Sequence, residues 1–251
     1  MCDMTIIGIE TSTRVCSAAL CKDGRVIRQE LSRDAGNHAG LLPVYIEQLL
    51  AYARTEGLPI DAVALSEGPG SYTGLRIGLS TAKGLCYGLD VPLLCVPTTE
   101  VLCHAAIVGG KVPVGALLCP MIDARRMEVY TALYRYTATG LEQVSKIESL
   151  IINEQTAGER LTYPEAQLYY FGDGAEKCQA LLENENRHYL PDIVPEAQYI
   201  MDKSEGRKAT GEEGQKANGE RLMIEGAEIA YYEPFYLKEF VAAPSHVKGL
   251  T

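Results

Sequence analysis

The stretch that decides the fold runs from Ser66 to Leu89 and reads SEGPGSYTGLRIGLSTAKGLCYGL. It places Gly68, Pro69 and Gly70 between a short apolar run, DAVALS, and a segment with helical periodicity. A connection from a buried strand to a helix N-terminus attracts anions, because free N–H groups and the helix dipole meet there. Glycines at such a place also let two helices come close together. The stretch therefore predicts either a phosphate site or a tight packing contact.

The spacing of the loop does not match the known phosphate-binding motifs. A Walker loop, G-x-x-x-x-G-K-[ST], and a dinucleotide loop, G-x-G-x-x-G, would both need a glycine where Thr73 stands. The first lysine after the loop is Lys83. In the preceding turn, GIETSTRVCSAAL, hydroxyl groups could donate to a phosphate, or they could satisfy their own turn. The phosphate hypothesis rests on Thr11, Ser12 and Gly70.

Two helices are predicted around the loop, and both have more apolar surface than one sheet contact requires. Gly74, Gly78 and Ala82 recur every four residues, and glycine in a helix costs roughly 1 kcal/mol relative to alanine. Close approach of another helix would explain this ridge. The preceding helix has two apolar stripes, so we predict a partner interface, the alternative being an internal core covered by helices on two sides. The predicted partner-binding residues are Leu41, Leu42, Tyr45, Ile46, Leu49, Tyr52, Gly74, Leu75, Gly78, Leu79 and Ala82.

The rest of the chain predicts two lobes. Strand and helix patterns alternate up to Gly109, and from Gly110 the pattern begins again with strands. We therefore predict an N-terminal lobe at 1–109 and a smaller C-terminal lobe at 110–251, related by internal duplication. The interval 202–221 contains no Val, Ile, Leu, Phe or Tyr. Such a segment is expected to be a disordered insertion.

Composition limits the classes of function. A formal net charge of -10 argues against nucleic-acid binding by this chain alone. No run of eighteen apolar residues and no signal peptide is present, so we expect a cytoplasmic protein with no membrane contact. The eight cysteines form no C-x-x-C pair and are expected to be buried thiols.

Residues that could carry catalysis are sparse. The four histidines form no H-E-x-x-H motif, and no G-x-S-x-G motif is present. In the second lobe, the turn IDARRMEVY has Arg125 and Arg126 where a phosphate-binding turn would need glycines. Such arginines could contact an anion from the rim, although a solvated face is the commoner use. No catalytic residue, metal ligand or cofactor is predicted.

Several of these segments resemble the TsaB (YeaZ) family of bacterial proteins. GIETST, HAGLLPVYIEQLL and above all GPGSYTGLRIGLSTAKGL carry the resemblance, which covers roughly residues 5 to 108. Weaker similarity follows in DARRMEVYTALY, FGDGA and PFYLKEF. The chain departs from the family in its polar insertion and in Asn37-His38-Ala39-Gly40, where relatives have a more polar sequence.

The resemblance implies an α/β, actin-like (ASKHA, ribonuclease H-like) fold with two lobes of mixed sheets flanked by helices. It also implies a noncatalytic subunit that binds the TsaD transferase in the formation of threonylcarbamoyladenosine on tRNA, together with the ATPase TsaE. A homodimer is expected when the partner is absent, and contact with tRNA only through the complex. Where TsaD holds a metal with an H-x-x-x-H pair, this chain has Thr98 and Leu102. The alternative is an actin-like small-molecule kinase or a metal-independent hydrolase.

Overall fold

The protein has two lobes, each built on a mixed β-sheet. The computed structural model describes residues 4–34, 36–200, 207–208 and 222–238. The strands are β1 Thr5–Glu10, β2 Cys16–Lys22, β3 Arg25–Ser32, β4 Ala62–Gly68, β5 Leu93–Pro97, β6 Leu117–Asp123, β7 Glu128–Thr131, β8 Tyr134–Thr137, β9 Gly140–Gln143, β10 Glu148–Ile151, β11 Leu168–Phe171, β12 Arg187–Leu190, β13 Arg207–Lys208 and β14 Leu222–Ile224. The helices are α1 His38–Thr55, α2 Tyr72–Leu89, α3 Thr98–Val108, α4 Glu154–Arg160, α5 Gln179–Leu182 and α6 Glu228–Tyr231.

The first sheet has the strand order β13-β14-β5-β4-β1-β2-β3. Strands β1, β2 and β3 form an antiparallel meander, and Asp23 and Gly24 turn the chain between β2 and β3 with positive φ angles. Strand β4 pairs in parallel with β1, and β5 with β4. Because β1 and β4 are central, their apolar runs are buried on both faces.

Helices α1 and α2 have the boundaries that their capping residues predict. The Asn37 side chain accepts a hydrogen bond from the Gly40 amide at the start of α1, and Gly57 follows its end with φ +64°. The Ser71 side chain caps α2 by accepting a bond from the Gly74 amide. The buried stripe of α1 is the predicted one, Leu42, Ile46, Leu49 and Ala53.

The second sheet repeats the arrangement of the first. Strand β6 pairs antiparallel with β7 and β8 on one side and in parallel with β11 on the other, and β11 pairs in parallel with β12. The apolar segment MEVYTALYRY forms two strands, β7 and β8, which are separated by Ala132 and Leu133. Helix α4 and strand β12 were not predicted from the sequence.

The chain passes from the first lobe to the second near residue 110 and has returned to the first lobe at β14. The prediction of a C-terminal lobe at 110–251 did not include this return. Strand β14 pairs antiparallel with β5, and Ile224 and Ile229 lie in the core between the first sheet and its helices. Residues 222–229 therefore belong to the first lobe. Of the predicted insertion at 202–221, Arg207 and Lys208 form β13, and the remaining residues lie outside the described part of the chain.

The cysteines belong to the cores of the two lobes. The seven within the described ranges, Cys16, Cys21, Cys86, Cys95, Cys103, Cys119 and Cys178, are buried free thiols, as predicted. Cys16 lies in the core beneath α1 and α2, whereas Cys21 lies on the opposite face of the first sheet. Burial raises the pKa of Cys16 to about 11 and that of Cys21 to about 12, so both are protonated at neutral pH.

Candidate functional site

The turn after β1 is closed by its own hydrogen bonds. The Ser12 amide and the Ser12 hydroxyl both donate to Glu10 Oε1, each at 2.5 Å. The Thr11 hydroxyl donates to the Gly74 carbonyl at 2.8 Å, and the Ser71 amide donates to the Ser12 carbonyl at 2.6 Å. These bonds join the turn directly to the start of α2.

Three glycines make this contact sterically possible. A β-carbon on Gly70 would lie 2.2 Å from the Ser12 carbonyl oxygen, and one on Gly74 would lie 2.0 Å from the Thr11 carbonyl oxygen. On Gly78 it would lie 2.3 Å from the Thr11 hydroxyl oxygen. Only residues without side chains can occupy these places, so the glycine-rich stretch exists for close packing of α2 on the preceding turn.

This packing corrects the phosphate hypothesis. Thr11 and Ser12 are fully buried, and their hydroxyl groups already have acceptors inside the protein. Gly70 is half-buried against Ser12. The turn therefore satisfies itself, which was the alternative that the sequence left open.

The packing also corrects the proposed glycine ridge. Gly74, Gly78 and Ala82 lie inside the first lobe, and the flank that was predicted to face a partner faces β1 and β4 instead. The other predicted partner-binding residues that the lobe itself buries are Leu42, Ile46, Leu49, Leu75 and Leu79. Leu41, Tyr45 and Tyr52 are only half-buried and stay at the surface of α1.

Glu10 is the one charged group within this contact. It is 0% exposed, and its Oε2 atom has no hydrogen-bond partner among the described residues. Burial raises the pKa of Glu10 to about 7, although the bonds from Ser12 act in the opposite direction. The residue therefore changes its charge near neutral pH.

The outward side of α1 and α2 forms a shallow apolar groove of ≈ 350 Å³. Its lining residues are Pro43, Ile46, Glu47, Leu50, Arg54, Thr81, Gly84 and Leu85. Gly84 and, one turn later, Gly88 are exposed, and a β-carbon on either would meet no atom within 4 Å. Sequence reasoning missed these two glycines, although their spacing of four equals that of Gly74 and Gly78.

The arginine turn of the second lobe lies at the end of β6. Arg125 and Arg126 are exposed and have φ angles of 71° and 50°, a left-handed region that side chains disfavour. The Asp123 carboxylate accepts a bond from the Arg125 amide and forms an ion pair with Lys177. Arg125 and Arg126 thus form a strained, solvent-exposed turn that is stabilised by the hydrogen bond to Asp123.

The positions that correspond to the transferase's metal ligands are occupied by packed residues. Thr98 is fully buried and shares a hydrogen bond of 2.8 Å with Ser66, and Leu102 is a buried core residue of α3. Among the described residues, no group of three His, Cys, Asp or Glu side chains is placed to hold a metal. In the same part of the chain, no helix is long and apolar enough to span a bilayer.

The sheets, their helices and the glycine-packed turn define an α/β protein of the actin-like class. A family model described as "TsaD: tRNA N6-adenosine threonylcarbamoyltransferase" matches residues 31–245, which is most of the chain. The chain shares this family's fold. The description of this family model names the enzyme, whereas several relatives of the chain are named TsaB.

The chain belongs to the TsaB (YeaZ) family within this larger group. It is 34% identical over 149 residues to the tRNA threonylcarbamoyladenosine biosynthesis protein TsaB of Bacillus subtilis, covering 59% of this chain and 63% of the relative. It is 27% identical over 248 residues to TsaB of Escherichia coli, covering 95% and 96% of the two chains. The solved structure of YeaZ from Pseudomonas aeruginosa superimposes with a TM-score of 0.66 at 26% identity, covering 78% of this chain and 88% of the other.

Proposed function

We propose that this chain is a noncatalytic subunit that binds and stabilises a TsaD-like transferase during the formation of threonylcarbamoyladenosine on tRNA, next to the anticodon. The names of the relatives support the pathway, since both TsaB proteins are named for threonylcarbamoyladenosine biosynthesis. A TsaE-like ATPase is the expected third member. The groove between α1 and α2 supports the role of a binding subunit.

The single observation that carries this proposal is the pair of exposed glycines on α2. Each glycine in a helix costs roughly 1 kcal/mol relative to alanine. For Gly74 and Gly78 the fold itself explains this cost, because a side chain there would collide with Thr11. For Gly84 and Gly88 nothing in the described part of the chain explains it, since none of its atoms lies within 4 Å of a β-carbon at either place. A partner helix that approaches closely would need that space.

The surroundings of Gly84 suit a helix of a protein partner. Leu50 and Leu85 line the groove beside it, and Glu47 and Arg54 supply charges at its edge. An apolar centre with a charged rim is typical of specific protein interfaces. Leu41, Tyr45 and Tyr52 are half-buried on the other flank of α1, where Arg28 of β3 lies over the Tyr52 ring. They form a second apolar patch that we include in the proposed interface.

The experiment that tests the proposal compares two glycine-to-leucine variants. Gly84→Leu fills the groove, whereas Gly158→Leu places the same side chain on α4 of the other lobe, where it also meets nothing within 4 Å. Overpacking costs typically 1–3 kcal/mol, so titration calorimetry with the organism's TsaD homologue should show affinity reduced about 5- to 150-fold for Gly84→Leu. Gly158→Leu should bind like the wild type. Equal affinity of all three proteins would refute the groove as the interface.

The same groove is proposed to pair with itself when the transferase is absent, because an apolar face on one copy is complementary to that of a second. Sedimentation velocity should then show dimers of the wild type and a shift toward monomer for Gly84→Leu. A kinase would need the hydroxyl groups of Thr11 and Ser12 to hold the phosphates. Both are buried in their own turn, which argues against the kinase alternative.

A further inference from the structure

A second cavity lies on a different face of α2. It has a volume of ≈ 610 Å³ and is enclosed by α2 on one side and by the segment Tyr232 to Lys238 on the other. Tyr72, Arg76, Ser80 and Lys83 follow one another along one face of α2, which is the wall of the cavity. The cavity shares no lining residue with the groove between α1 and α2. It is therefore not part of the proposed transferase interface.

Aromatic rings and a guanidinium group are stacked in this cavity. The ring centroids of Tyr72 and Tyr236 are 5.1 Å apart, with 34° between the ring planes. The Arg76 guanidinium carbon lies 5.2 Å from the centroid of Tyr72, and the same guanidinium donates to the Tyr72 hydroxyl at 2.8 Å. Aromatic and guanidinium planes are the surfaces on which nucleic-acid bases stack.

The cavity is also cationic, in a chain whose formal net charge is -10. Among the described residues, its lining includes Arg76, Lys83 and Lys238 and one acidic residue, Glu233. Lys238 is paired with Glu128 of the second lobe. In the described part of the chain, Arg76 and Lys83 form no ion pair, and each uses one of its donors, to the Tyr72 hydroxyl and to the Ala230 carbonyl. Donors therefore remain on both side chains for an anion.

We propose that this cavity binds one nucleotide unit of RNA, with the base stacked beside Tyr236 and the phosphate held by Arg76 and Lys83. The volume distinguishes this ligand from a bare phosphate, because sites of 300–1,000 Å³ enclose a whole small molecule. A free mononucleotide has the same chemistry. The choice of RNA rests on the proposed function and revises the expectation that the chain contacts tRNA only through the complex, whereas the binding site rests on the cavity alone.

The test measures RNA binding by the isolated chain, without the transferase. Binding of a fluorescein-labelled transfer RNA transcript is followed by fluorescence anisotropy, with AMP as the free-nucleotide probe. We expect Arg76→Ala and Lys83→Ala each to weaken binding at least about fivefold. Each should also reduce the slope of log affinity against log salt by about 0.7–0.9. Tyr236→Ala should cost on the order of tenfold, and Tyr236→Phe, which keeps the ring, should restore most of the affinity.

The controls remove a similar group at a place outside the cavity. Arg135→Ala deletes an exposed arginine from β8 of the second lobe, and Tyr87→Ala deletes an exposed tyrosine from α2. Both should bind RNA like the wild type. A different result would be AMP binding that equals or exceeds RNA binding in affinity and depends in the same way on Arg76 and Tyr236. In that case the nucleotide site would stand, but its ligand would be a free nucleotide and not RNA.

Two results would refute the proposal that this cavity binds a nucleotide. One is the absence of binding by either probe, and the other is RNA binding that Arg135→Ala weakens as much as Arg76→Ala does. Circular dichroism of each variant shows that the fold is retained. A failure here leaves the calorimetric titration with the transferase unaffected, so the two proposals are separable.

Discussion

The packing of α2 on the turn after β1 predicts opposite effects for two glycine-to-alanine substitutions on the same helix. At Gly84 a β-carbon meets nothing within 4 Å, so Gly84→Ala should raise the free energy of unfolding by about 1 kcal/mol, the helix-propensity difference. At Gly78 the β-carbon would lie 2.3 Å from the Thr11 hydroxyl oxygen and 3.2 Å from Leu65 Cδ1. Both neighbours are themselves buried, so neither can move into solvent.

The magnitude for Gly78→Ala follows from these contacts. Overpacking a buried site costs typically 1–3 kcal/mol, and displacing the Thr11 hydroxyl from the Gly74 carbonyl costs about 1–3 kcal/mol more. The gain in helix propensity offsets about 1 kcal/mol. We therefore expect a net loss of roughly 1–5 kcal/mol, opposite in sign to Gly84→Ala.

Urea unfolding followed by far-ultraviolet circular dichroism measures this difference. The midpoint should move to lower urea for Gly78→Ala and to higher urea for Gly84→Ala, with similar m-values. If both variants were stabilised alike, the inward face of α2 would be misassigned. Close packing of α2 on the turn after β1 would then not explain why the stretch Ser66 to Leu89 is rich in glycine.

Two further predictions concern buried carboxylates. The pKa of Glu10 is about 7 in the folded protein against an ordinary value of 4.5, so the unfolded chain loses this proton first as pH rises. About 3 kcal/mol of stability should therefore be lost between pH 4.5 and pH 7. Glu10→Gln should remove that part of the pH dependence, and urea titrations at pH 5 and pH 8 that change equally in both proteins would contradict it. Arg33 donates twice to Glu196, whose side chain is 2% exposed, so Arg33→Met should cost roughly 1–3 kcal/mol. Arg14→Met, which breaks an ion pair with both side chains more than four-fifths exposed, should cost about 0–1 kcal/mol, and thermal unfolding that ranks the two variants the other way would be evidence against the Arg33 contact.

Much of the first lobe could be predicted from the sequence because its signals are local. The N-cap residues Asn37 and Ser71, the proline in the first turn of α1 and the apolar periodicity together fix where α1 and α2 begin and which face of α1 is buried. The actin-like fold, implied by the family resemblance, is confirmed by the strand order of both sheets and by the solved relative.

The direction in which the glycines of α2 face could not be predicted in the same way. Both Gly74 with Gly78 and Gly84 with Gly88 repeat at intervals of four, and periodicity alone does not say which pair meets a neighbour. The deciding contact joins Gly74 to Thr11, which is 63 residues earlier in the chain. Tertiary packing therefore buries Gly74 and Gly78, the two glycines that were predicted to face a partner.

The second lobe and the cavity were harder to predict for a related reason. Strands β7 to β10 have four residues each, and β14 has three, so they offer too little pattern for a periodicity argument. The cavity brings Arg76 together with Tyr236, which lies 160 positions later in the sequence. Both residues lie in segments that carry the family resemblance, but nothing in either segment indicates that the two side chains meet.

The pairing of β14 with β5 has a consequence for synthesis on the ribosome. Without β14, the described part of the first sheet would end at β5, whose backbone would present an open edge to other chains. Ile224 and Ile229 complete the apolar core of that lobe. The first lobe can therefore close only after residues 222–229 have left the ribosome, and the edge of β5 stays open while the second lobe is made.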